Sequence, residues 1–80
     1  MSTPERRALV RAAVELAYPG PVTYRGRLET PFRDPREGIP HVFHVTGGFV
    51  VAWLVTDGNK ESVVLAGPPT PEAPGSLRRS

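Results

Sequence analysis

The chain has no cysteine, and it has single copies of lysine (Lys60), methionine and tryptophan (Trp53). Without cysteine there is no disulfide staple and no thiolate metal site, which fits a reducing compartment. No apolar run approaches the roughly 20 residues that a membrane-spanning helix needs. The opening Met1-Ser2-Thr3-Pro4-Glu5-Arg6-Arg7 lacks the apolar stretch of a secretory signal, so a cytoplasmic location and no membrane partner are expected. No large charge excess exists either. The net charge is +2, too mild by itself to declare a nucleic-acid partner. No internal repeat is present.

What the chain does have is one strongly apolar segment, ten prolines and eight glycines. Its 80 residues allow one domain. A chain this short buries only about 60% of the surface that its unfolded form exposes, so its stability is marginal. The apolar segment is Phe49-Val50-Val51-Ala52-Trp53-Leu54-Val55, bounded by Gly47-Gly48 and by Asp57-Gly58-Asn59. Its β-branched and aromatic content predicts a strand, and the glycine pairs predict turns at both ends. In a strand, Phe49, Val51, Trp53 and Val55 share one face, and Val50, Ala52 and Leu54 share the other. Both faces are apolar, as in a central strand covered on two sides.

The remaining elements follow from local chemistry. Thr3-Pro4-Glu5 suits a helix start. Leu9, Ala12, Ala13, Leu16 and Ala17 predict the buried stripe, widened by Val10 and Val14. Arg7, Arg11 and Glu15 are expected on the opposite side, with an Arg11–Glu15 pair. Tyr18-Pro19-Gly20-Pro21 ends the helix. Residues 22–28 alternate, with Val22, Tyr24 and Leu28 inward and Thr23, Arg25 and Arg27 outward; Gly26 is a candidate bulge. Residues 30–40 form a long loop whose apolar members, Phe32 and Ile39, are expected against the sheet. Residues 41–46 and 49–56 pair across a Gly47-Gly48 turn, placing Val45 opposite Val50 and Val42 opposite Trp53. A further hairpin at Asp57-Gly58 or Gly58-Asn59 leads to a strand over 61–66. The predicted fold is α+β: one N-terminal helix on a four-stranded antiparallel sheet. The domain spans residues 1–67, and 68–80 is a Pro-rich tail, extended or disordered, carrying the PxxP spacings of Pro68, Pro71 and Pro74.

Chemistry-bearing residues are sparse. His41 and His44 lie three apart and so on opposite faces of a strand, which prevents them from chelating one ion. No metal, cofactor or catalytic residue is assigned, and the chain is expected not to be an enzyme. His44 as the centre of a small nuclease is the lesser alternative. Arg25, Arg27, Arg33 and Arg36 could instead meet phosphates, giving an RNA- or DNA-binding module as the alternative function. The leading expectation rests on the face holding Phe49, Val51, Trp53 and Val55, with His44 at its margin. Leaving those four side chains wet would forgo about 6–12 kcal/mol, an upper figure comparable to the stability of a domain. One helix cannot shelter both sides of a sheet. The cover is the chain's own loop or tail, or a second copy, or a larger protein to which this chain binds as a regulator.

Overall fold

A computed structural model describes residues 3–28, 36–75 and 77–78, with the side chains of Thr3, Leu77 and Arg78 excepted. Helix α1 spans Thr3–Ala17. Strands β1 (Thr23–Leu28), β2 (His41–Val45), β3 (Gly48–Asp57) and β4 (Lys60–Leu65) follow, and Leu77–Arg78 add a two-residue β5. All pairings are antiparallel, in the order β4-β3-β2-β1-β5. The chain is thus α+β, with one helix on an open antiparallel sheet, as its patterning predicts. Among the described residues no helix is long and apolar enough to cross a membrane.

The core lies between α1 and one face of the sheet. Val10 and Val14 meet Val22, Phe43, Val45, Val50, Ala52 and Leu54, with Tyr18, Tyr24, Val63 and Leu65 at the margin. This is the aliphatic face expected from strand alternation. The helix, however, is turned relative to expectation. Its sheet-facing line is Val10, Val14 and Tyr18, while Leu9 is 43% and Leu16 87% exposed. Alanine and leucine fall on so many sides of α1 that hydrophobic spacing alone does not distinguish them. Arg11, expected to be outermost, is half-buried and donates to the Val22 carbonyl at 2.6 Å. That bond ties the helix to the linker before β1. The expected Arg11–Glu15 pair forms at 3.6 Å.

The two hairpins hold different lessons. Gly58-Asn59 is the loop between β3 and β4, and Leu54 opposes Val63. Between β2 and β3 the loop is Thr46-Gly47 rather than Gly47-Gly48, so Val45 opposes Gly48 and Val42 opposes Val51. The register differs from expectation by two residues, which leaves every side chain on its expected face. The reason lies far along the chain. Gly48 has φ 136°, and a Cβ there would collide with the Thr70 carbonyl, so Gly48 serves the strand rather than the turn.

Thr70 is held to Phe49 by two backbone bonds, Phe49 N–H to Thr70 O at 2.7 Å and Thr70 N–H to Phe49 O at 2.9 Å. Proline at 68, 69 and 71 leaves Thr70 the only N–H donor of that stretch. Pro71 also biases Thr70 to an extended conformation, the one a sheet bond requires. The chain then passes from the β4 side of the sheet to its far edge, where Leu77 opposes Leu28. The Pro-rich segment is therefore attached to the sheet at two points, Thr70 and Leu77.

Gly26 does mark a bulge. The β1–β2 register shifts between Tyr24 and Gly26, leaving Arg25 as the extra residue. Beyond it the alternation inverts. Arg27 lies opposite His41 on the helix side, and Leu28 moves to the other face. The expected outward row of Arg25 and Arg27 is thereby broken.

Candidate functional site

The face of the sheet away from α1 carries His44, Phe49, Val51, Trp53, Val55 and Val64. Strand β3 positions four of them, and β2 and β4 flank it. Val42 at the middle of this face is 0% exposed yet stands apart from the helix-side core, so non-helical parts of the chain cover it. The cover is incomplete toward β4. Phe49, Val51, Trp53 and Val55 are half-buried, and Val64, opposite Trp53, is 37% exposed. His44 is exposed and meets the Phe49 ring edge-on, with centroids 4.9 Å apart. The Trp53 indole N–H is buried with no acceptor among the described residues. A buried donor in that condition costs about 1–3 kcal/mol. Ile39, expected as part of this cover, lines a cleft on the helix side instead. Phe32 lies outside the described residues.

The histidine that the structure surrounds with chemistry is His41, not His44. His41 is only 7% exposed and faces the helix side. Its Nδ1 lies 3.1 Å from the Tyr24 hydroxyl. The Arg7 guanidinium sits 5.0 Å from the centre of the Tyr24 ring, a cation–π contact. Burial, then the positive charges of Arg7 and Arg27, hold the His41 imidazole below its ordinary pKa. Arg6, Val10, Gly38, Ile39, His41 and Leu54 line a cleft of about 60 Å³. Sequence spacing could place His41 on the buried face, but it could not bring Arg27 there. That required the bulge.

Of the four arginines expected to form one phosphate-binding patch, the three described ones sit in different surroundings. Arg25 is the bulged residue, and Arg27 accompanies His41. Arg36 borders β3 near Val55 and Asp57, its carbonyl accepting from Thr56 N–H at 2.8 Å. Arg33 lies outside the described residues. Among the described residues no group of three or more His, Cys, Asp or Glu side chains is arranged to hold a metal ion. Comparison with protein-family models, with curated proteins and with solved structures found no match.

Proposed function

We propose that this chain is a small non-enzymatic binding module whose β3–β4 corner docks on protein, either a second copy of itself or a larger partner that it regulates. What supports the reading is the half-open apolar cluster of Val51, Trp53, Val55 and Val64 on the face that α1 leaves uncovered. Tryptophan is enriched among interface residues that carry most of the binding energy. Strand β4 adjoins this cluster as a sheet edge, so a partner can meet the apolar face and unpaired backbone together. The aliphatic and aromatic character of the surface suits packing better than proton transfer or metal binding.

Light scattering over a concentration series, together with pull-down from a lysate, tests the proposal. Wild type is expected to self-associate or to retain a defined partner. Trp53→Asp and Val64→Asp should abolish the association while the far-ultraviolet helix signal persists. Val64 sits at the rim, so its variant separates loss of docking from loss of folding. A wild type that stays monomeric at high concentration and retains nothing sinks the reading.

A further inference from the structure

We propose that the cleft over His41, on the side of the sheet opposite the apolar β3 face, binds a small tetrahedral oxyanion such as a phosphate monoester, held by Arg6 and His41 with Arg7 and Arg27 flanking the imidazole. Three elements meet around His41: of their cationic side chains Arg6 lines the cleft itself, and Arg7 and Arg27 flank the imidazole. Helix α1 supplies Arg6 at the cleft and Arg7 above Tyr24. Strand β1 supplies Tyr24 and, beyond its bulge, Arg27 opposite His41. Segment 38–39 and β3 close the other walls with Gly38, Ile39 and Leu54. Among the described residues that line the cleft none is acidic. Glu37 lines the wider adjoining cleft with Arg36, and Glu5 is exposed on the first turn of α1.

The arrangement has the character of a receptor for negative charge. Like charges gathered beside a buried imidazole repel one another and any proton placed on that ring. An anion among them reverses the sign of each of those interactions. Guanidinium groups match a tetrahedral oxyanion geometrically, because their planar N–H donors pair with two oxygens at once. In the tautomer where the Tyr24 hydroxyl donates to Nδ1, 3.1 Å away, the neutral His41 ring carries its proton on Nε2 as a further donor. The cleft of about 60 Å³ has room for roughly four water molecules, enough for one phosphate-sized group. Ile39 and Leu54 beside it offer apolar contact to a short organic substituent. A nucleic-acid backbone would need a row of cations, and the dispersal of Arg25 and Arg36 does not provide one on this face.

The test is a nuclear magnetic resonance titration of the whole chain, following the ring signals of His41 and Tyr24. Sulfate serves as the first probe because its charge is constant across the pH range, and glycerol phosphate as the second. Chloride is exchanged to keep ionic strength fixed. Saturable shifts are expected at both residues, with the His41 titration midpoint moving upward when sulfate is bound. Affinity should rise as the pH falls, since the protonated ring attracts the anion. Arg6→Gln, Arg7→Gln and Arg27→Gln alter exposed side chains, so all three should fold; Arg6→Gln should weaken binding about tenfold, and the two flanking variants should each weaken it by a smaller factor. Linear drift equal to that produced by chloride would overturn the proposal. So would saturable binding of a single-stranded RNA oligonucleotide with no response to sulfate or glycerol phosphate.

Discussion

Replacing Gly48 by alanine probes the contact that ties the Pro-rich segment to the sheet. Gly48 has φ 136°, where an L side chain is strained by about 1–3 kcal/mol. The added methyl would also meet the Thr70 carbonyl, which is backbone and cannot swing aside. Relief requires Thr70 to leave Phe49, losing two hydrogen bonds of 2.7 and 2.9 Å. Each is worth about 0.5–1.5 kcal/mol net. The total is about 2–6 kcal/mol, against a stability of roughly 4–12 kcal/mol for a domain of this length. Thermal unfolding should shift downward by at least about 8 °C. Gly58→Ala is the control. Its φ is 63°, but no described residue lies within 4 Å of the new methyl, so only backbone strain of about 1–2 kcal/mol applies. Amide exchange reports the mechanism directly: the Phe49 and Thr70 N–H groups should lose protection in Gly48→Ala and keep it in Gly58→Ala. If the two variants unfold within about 1 °C of each other and both amides stay protected, the strap does not hold as described.

Other perturbations test the helix and the buried histidine. Val14→Ala should cost about 2 kcal/mol in urea unfolding, whereas Leu16→Ala should change stability by less than about 0.5 kcal/mol, because Val14 is sealed in the core and Leu16 projects into solvent. The reverse order would mean that α1 presents its other side to the sheet. Phe43→Ala, at the fully buried centre of the core, should cost about 3–5 kcal/mol in the same assay. For pH, His41 has its folded pKa lowered, so above about 6.5 the ring is neutral in both folded and unfolded chains and adds no penalty. As pH falls from there through the folded value, the unfolded chain takes up the proton more readily and stability declines. His41→Gln should flatten that decline in a series of urea melts between neutral pH and pH 5. An unchanged slope would show that His41 titrates freely.

Much of the architecture was legible in the residues because it depends on short-range pattern. The apolar run at 49–55 demanded a central strand, the glycine-containing pairs demanded hairpins, and Pro19 stopped the helix. Face assignments on β2, β3 and β4 survived even a wrong turn, since side chains alternate with a period of two and the error was two residues. The β2–β3 turn falls one residue before the glycine pair because Gly48 packs against Thr70, 22 positions later. The orientation of α1 is not legible in its spacing because apolar residues occur on several of its sides, and only the contact with Val22 and the sheet selects among them.

The apolar β3 face and the His41 cleft divide along the same line. Alternation along one strand was enough to gather Phe49, Val51, Trp53 and Val55, so the chain alone determined that surface. How far the molecule shelters it was decided by a tail that returns to pair with Phe49 and then with β1. The cluster of Arg7, Tyr24, Arg27 and His41 was decided wholly by tertiary structure. A one-residue bulge at Arg25 inverts the strand beyond it, and a helix from the start of the chain brings Arg7 over Tyr24. Neighbours along a strand follow local geometry, whereas groups that meet across elements do so only when packing has chosen the register and the rotation.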